Sequence, residues 1–214
     1  MTTRFKPSQI KLILTGERLF SEQGVDGVPL REIALAAGQA NNTAVHYHFG
    51  SREGLIAAIS AYRIAELDRV RGRMLADLAR QAKPADLREL LKVLFLSQLE
   101  IADDRGCHPY AHFMVQYLTR HRPSGTRHAS DMRDGDSQSL HALLDLIETR
   151  LPAIPARLVR QRLELLNLSF LAMLVRNDNA RLFGGSCRSL ATDAAEMIEM
   201  ALGAISVPVA VSDG

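Results

Sequence analysis

The chain has 214 residues, 47% of them hydrophobic and 23% charged, the composition of an ordinary folded protein with enough apolar material for a core. Its 26 Lys and Arg stand against 24 Asp and Glu, a formal net charge of +2, so bulk charge argues for neither a nucleic-acid nor a membrane partner. No run reaches the roughly 18 uncharged apolar residues of a membrane span, and the start lacks the apolar stretch of a secretion signal. Cys107 and Cys187 are too few for a disulfide framework, and a cytoplasmic protein is expected.

Helical periodicity dominates and no stretch sustains the alternation of a strand, so an all-α fold is expected. Ile10, Ile13, Leu14 and Phe20 recur at helical spacing from Ser8 until Gly24, where Asp26 and Gly27 add turn character. Pro29 suits the first position of a second, short helix through Ile33 and Ala36 to Gly38. A third helix is predicted to begin at Asn41 or Asn42 and to reach His48 or Phe49. Gly50 breaks it, and Ser51 is placed to cap a fourth helix that starts at Arg52 and runs to the neighbourhood of Arg80. Asp86 to Ile101 makes a strongly apolar fifth segment, stopped by Asp103-Asp104-Arg105-Gly106, and Pro109 opens a sixth through Arg120. Residues 121–137, rich in Arg, His, Ser, Gly and Asp, read as a mobile loop. Three further helices are predicted at 137–150, 155–176 and 188–205, with Arg181 to Gly185 in the loop between the last two.

Three short helices with a turn of about three to four residues before the last have the form of a helix-turn-helix. Helices this short cannot each bury a full face, so they pack as a triad and leave one surface outward. The residues expected there are polar: Gln39, Asn41, Asn42, Thr43, His46 and His48. Asn and Gln can bond both edge groups of adenine, while Thr can hydrogen-bond or touch a thymine methyl. Residues 1–53 hold Arg4, Lys6, Lys11, Arg18, Arg31 and Arg52 against Glu17, Glu22, Asp26, Glu32 and Glu53, so DNA recognition has to rest on local placement.

The stretch ERLFSEQGVDGVPLREIALAAGQANNTAVHYHFGSREGLIAAI, Glu17 to Ile59, resembles the signature of the TetR (tetracycline-repressor-like) family. The resemblance is carried by Leu19-Phe20, Gly24, Arg31-Glu32-Ile33-Ala34 and Ala37-Gly38, then by Tyr47-His48-Phe49, Gly50-Ser51-Arg52-Glu53 and Leu55. It implies a non-enzymatic, cofactor-free transcriptional regulator: a homodimer on double-stranded operator DNA with two half-sites. A small-molecule effector in a variable body would change the spacing of the two reading heads, as in a repressor released from its operator. It also implies that Tyr47 and His48 meet phosphate oxygens, with Arg52 at the same corner. The expected domains are a helix-turn-helix DNA-binding domain over 1–52, a helical ligand-binding and dimerisation domain over 53–207, and a disordered tail over 208–214. Two departures stand out. Between Gly38 and Tyr47 the chain is one residue longer than the pattern, which leaves the choice between Asn41 and Asn42 open. Val28-Pro29 stand where the pattern has Ser or Thr, removing a hydroxyl that could cap the second helix and meet a phosphate.

In the body, Leu163, Leu166, Phe170 and Leu174, and Ala194, Met197, Ile198 and Ala201, recur at helical spacing. They form either an ordinary core or, as the resemblance implies, a four-helix interface between two copies. A ligand pocket is expected among the middle helices, with Phe95, Gln98, Leu99, Tyr110, Phe113, Met114, Tyr117, Leu144, Phe170 and Met173 as candidates; the same residues would serve equally as core. Cys107-His108 and His112 suggest a metal, but no carboxylate or further cysteine completes a set, and Cys107 has only Arg105 nearby to favour a thiolate. An α-helical enzyme built on His112, His141 or Cys107 lacks any nucleophile elbow, phosphate loop or paired acid and base. A sequence-blind nucleoid binder lacks the basic excess that such binding requires.

Overall fold

Helix ends fall where prolines, glycines and small polar side chains meet the unpaired backbone groups of the terminal turns. The computed structural model describes residues 4–81, 84–121, 137–186 and 188–208. Nearly all of the loop expected over 121–137, all but Pro208 of the tail expected over 208–214, and Cys187 lie outside these residues. In chain order the helices are α1 Pro7–Gln23, α2 Leu30–Ala36, α3 Ala44–Phe49, α4 Arg52–Ala79, α5 Leu87–Leu96, α6 Pro109–Gln116, α7 Gln138–Thr149, α8 Ala156–Leu182 and α9 Leu190–Ile205. A 3-10 turn, Ser97–Glu100, follows α5, and a π turn, Tyr117–His121, follows α6. There is no strand among the described residues, and the fold is all-α. No described helix is long and apolar enough to cross a membrane.

By packing, the chain divides into two compact units, Met1–Glu66 with Ala102–Ser137 and Leu67–Ile101 with Gln138–Gly214. The sequence suggests a functional boundary at residue 52; the packing boundary instead falls within α4, and α6 goes with the first three helices.

In the first unit, α1 contributes Leu12, Ile13 and Phe20 to a core completed by Val28, Ile33, Val45 and Leu55, all fully buried. Each such side chain contributes about 1.5–3 kcal/mol by leaving water. α6 packs on α1. Phe113 stacks on Phe20 with ring centroids 6.2 Å apart, and Tyr110 and Tyr117 flank it at 6.2 and 6.0 Å. Gln116 Nε2 donates to the Ser21 carbonyl at 3.4 Å.

The second unit is built around α5, whose residues Leu90, Leu91, Val93, Leu94 and Phe95 are buried against α7 and α9. Its start is a reciprocal cap, with Glu89 N–H on Asp86 Oδ1 and Asp86 N–H on Glu89 Oε2, both at 2.9 Å. Phe95 stacks on Phe170 of α8 at 5.0 Å. α8 continues to Leu182, six residues beyond its expected end at Arg176. The polar run there looks solvated in sequence, but Asn177 and Asp178 are buried, and Arg176 reaches Asp193 of α9 at 2.8 Å. The expected loop accordingly shrinks to the residues after Leu182. Leu163, Phe170, Leu174, Ala194, Ile198 and Ala201 are buried within the unit, so most of the periodic stripe is core of a single chain. The large apolar side chains left outside on these helices include Leu165, 68% exposed, and Met200, 60% exposed.

Candidate nucleic-acid interface

The α2–α3 corner is built almost wholly from local bonds. α2 begins after Pro29, which occupies the cap rather than the first helical position expected of it; its carbonyl accepts from Glu32 N–H at 3.0 Å. The helix closes with Ala37 N–H on Ile33 O at 2.9 Å and Gln39 N–H on Ala34 O at 3.0 Å. The chain then turns through Asn41, whose Oδ1 accepts from both the backbone N–H of Thr43, at 2.9 Å, and the Thr43 hydroxyl, at 2.7 Å. Such a turn competes with helix, and α3 starts at Ala44, two to three residues later than the sequence suggests. Ala44 and Val45 anchor it in the core.

Asn42, Thr43, His46 and Tyr47 are exposed on this corner, while Gln39 and His48 are half-buried. Pairing with adenine needs the carbonyl oxygen and the amide nitrogen of one side chain together. Both hydrogen bonds at Asn41 converge on its carbonyl oxygen, so its amide is committed to the turn, whereas no described hydrogen bond engages the Asn42 amide. His46 Nδ1 lies 3.1 Å from the Gly50 carbonyl oxygen. Tyr47 is 82% exposed and meets His48 edge-on at 4.9 Å.

Arg52 departs from the picture of a free cation. Its Nη1 donates to the Val25 carbonyl, and its guanidinium sits 5.7 Å from the centre of the Phe20 ring. It thus clamps the loop after α1, leaving its other N–H groups for any contact outside. At the start of α4, Ser51 Oγ accepts from Gly54 N–H at 3.1 Å, the cap expected of it. A hydrogen bond with Ser51 holds the exposed Glu53 carboxyl below the usual carboxylate range. A Cβ at Gly54 would stand 1.9 Å from the Phe49 carbonyl oxygen, so only glycine lets α3 end so close to α4.

A buried charge cluster, invisible to helix-pattern reading, ties α1 to the first half of α4. Arg63 donates from Nε and Nη2 to the two oxygens of Glu17, at 2.7 and 2.6 Å, and from Nη1 to Glu66 at 2.6 Å. Glu17 is 1% exposed. Burial pushes its carboxyl up, against the pull of Arg63. Burial opposes the charge on Arg63, yet its bonds to Glu17 and Glu66 raise it above the ordinary arginine value, and we take the guanidinium as always charged. The only sequence signal was a glutamate on the inner face of α1.

The ligand candidates fall into both units. Tyr110, Phe113, Met114 and Tyr117 belong to the first, where Phe113 is packed into the α1–α6 core. Phe95, Gln98, Leu99, Leu144, Phe170 and Met173 belong to the second. There Gln98, nearly buried, donates to Asn167 Oδ1 at 2.9 Å beside the Phe95–Phe170 stack. The second unit also has an open groove of about 720 Å³ lined by Val70, Arg73, Met74, Leu96, Leu99 and Glu100, among others; of the candidates only Leu99 reaches it. Val70, Arg73, Met74 and Asp77 share one face of α4, a signal the sequence carries but that core-seeking patterns pass over. Among the described residues no three His, Cys, Asp or Glu gather as a metal site would require.

Residues 12–59 match the family described as bacterial regulatory proteins, tetR family. Comparison with curated proteins gives no match. Among solved structures, the chain is similar to the transcriptional regulator FadR from Bacillus subtilis in complex with stearoyl-CoA. The TM-score is 0.61 at 16% identity, over 92% of this chain and 98% of that one. It is also similar to the fatty acid degradation regulator FadR from Bacillus halodurans, with TM-score 0.56 and 15% identity over 95% and 97%. A third is NalD, the secondary repressor of the MexAB-OprM multidrug efflux pump in Pseudomonas aeruginosa, with TM-score 0.51 and 20% identity over 92% and 96%. At these identities the likeness is one of fold.

Proposed function

We propose that this chain, a TetR-family transcriptional regulator by the DNA-binding domain it carries at residues 12–59, is a sequence-specific repressor released from its operator by a small molecule. The observation that carries the reading is the α2–α3 corner: a six-residue helix fixed by local bonds, with Asn42, Thr43, His46 and Tyr47 turned to solvent. Asn42, Thr43 and His46 are base-reading groups, while Tyr47, His48 and the N–H groups of Arg52 other than the one on Val25 position the phosphate backbone. Residues 1–52 act as the DNA-binding domain and 53–207 as the effector-binding and dimerising body.

The effector is an apolar or amphipathic molecule held in the second unit. The open groove beside Met74, Leu96 and Leu99 supports this, as does the stearoyl-CoA held by the FadR of B. subtilis. Release requires only that the ligand prefer a body conformation whose heads miss the operator spacing. The exposed Leu165 and Met200 support a homodimer through α8 and α9. Glutamate at both positions together should give monomers that lose operator affinity, because linked heads bind with avidity; sedimentation of a wild-type monomer at micromolar concentration would sink the dimer.

The direct test is a footprint of the purified chain on DNA upstream of its own coding region, followed by addition of long-chain acyl-CoA and other amphipathic molecules. Protection of an element with two half-sites, lost on adding one of them, is the expected result. Uniform protection that bulk DNA competes away would overturn it.

A further inference from the structure

His46 is exposed on α3, and its Nδ1 lies 3.1 Å from the carbonyl oxygen of Gly50. A carbonyl oxygen can only accept, so Nδ1 carries the hydrogen of that bond. In the neutral ring the opposite nitrogen, Nε2, is then left with a bare lone pair. The anchoring carbonyl is itself fixed. Gly50 has φ +77°, and its N–H donates to the His46 carbonyl at 2.9 Å, so two bonds run between the same two residues in opposite directions. The helix end thereby sets both the tautomer and the orientation of the imidazole.

Resting on the operator-binding reading above, we infer that His46 is a specificity-determining residue whose Nε2 accepts a hydrogen bond from an exocyclic amine in the major groove, N4 of cytosine or N6 of adenine. Those two amines are the only hydrogen-bond donors that base pairs present there. Guanine O6 and N7 and thymine O4 are acceptors, and would face the Nε2 lone pair with no proton between them. A phosphate oxygen is an acceptor too, so the neutral ring offers the DNA backbone nothing. This separates His46 from Tyr47, whose exposed hydroxyl can donate to a phosphate. It also gives each half-site two amine-dependent positions: one adenine for the amide of Asn42, which no described hydrogen bond engages, and one amine for His46.

Half-sites are selected from randomised DNA by the full-length chain, then resynthesised with single amines deleted: purine for adenine, 2-pyrimidinone for cytosine. Two positions in the half-site should each lose roughly 3- to 10-fold in affinity, the worth of one hydrogen bond. His46→Phe should abolish the sensitivity at one of them and leave the other. Any weakening of the duplex by the missing amine is common to both proteins and cancels. Which analogue produces the effect tells adenine from cytosine. No amine-sensitive position with the wild-type chain overturns the proposal, whether or not the variant folds, and so does a folded His46→Phe chain that keeps every sensitive position. So does a His46→Phe chain that weakens on all sequences alike, with a salt slope lower by about one, the mark of a lost phosphate contact. A chain that selects no sequence at all overturns the operator-binding reading, and this one with it; the existence of a selected half-site tells the two failures apart.

Discussion

α3 and α8 are held in place by opposite means. α3 has six residues, far fewer than the roughly 12–15 an isolated helix needs to persist in water. Its start is tied by Asn41 to Thr43, its end by the reciprocal bonds of His46 and Gly50, and Ala44 and Val45 are its buried residues. α8 has 27 residues and is fixed from the side, by Val159, Leu163, Phe170 and Leu174 in the core and by Asn177 and Asp178 turned inward. The local bonds that fix α3 take only Nδ1 of His46 and the side-chain contact of Asn41 with Thr43 from its outer side, so Asn42, Tyr47 and Nε2 of His46 are open to selection by a ligand. On α8, fixing the helix and choosing its side chains are the same act. Substitution of Asn42 or Tyr47 should therefore change what is bound with little effect on stability, and substitutions on the buried face of α8 should do the reverse.

The comparison is most exposed at Phe170. Phe170→Ala should cost about 3–5 kcal/mol in urea unfolding, as buried phenylalanines do, with the base preference of whatever folded protein remains unchanged. An altered half-site preference in this variant would break the distinction. A loss of similar size is expected in the first unit for Arg63→Met, since breaking a buried ion pair and stranding its partner costs about 3–5 kcal/mol. This loss should depend on pH. Glu17 is already raised by burial and would rise further without Arg63, so the folded variant holds a proton that the unfolded chain releases above about pH 4.3. Folded-state uptake means that stability falls as pH rises through that window. Urea midpoints at pH 5 and pH 8 should show the larger deficit at pH 8; an equal deficit would mean that Glu17 is not left ionised and unpaired.

Smaller effects sharpen the α3 half of the comparison. Asn42→Ala should cost roughly 1–3 kcal/mol on the operator and relax one position per half-site, with an unchanged urea midpoint. Asn41→Ala should act the other way, costing about 1 kcal/mol of stability through the lost hydrogen bonds that turn the chain into α3 and weakening all sequences together. Anisotropy against a randomised half-site library separates the two, and a base-specific defect at Asn41 would mean that its turn opens on DNA.

How much of this could be read in the sequence follows the same division. The first three helices were legible because Gly24, Pro29, Gly50 and Ser51 punctuate them. Which of Asn41 and Asn42 folds its carbonyl oxygen back on the chain was not. Arg52 read as a cation at the DNA corner, and nothing in its neighbours revealed the bond to Val25. In the body the same apolar residues suit a core and a ligand wall alike. Phe113 shows the difficulty: its place in the sequence suits a pocket or a core, and it lies fully buried, stacked on Phe20. The length of α8 was missed because buried Asn177 and Asp178 look like a solvated helix end until α9 is there to receive their neighbours.

The approach of Gly54 to Phe49 carries a consequence for genetics. A methyl group placed there would lie 1.9 Å from a backbone oxygen, so even alanine forces the end of α3 away from α4. In a reporter screen for colonies that have lost regulation, changes at Gly54 should appear beside those at Asn42, although codon 54 encodes no atom that could touch a base. The two classes would part on a second plate: a reporter driven by a half-site altered at the Asn42 position could restore silencing to some Asn42 alleles, and no altered half-site should restore it to a Gly54 allele.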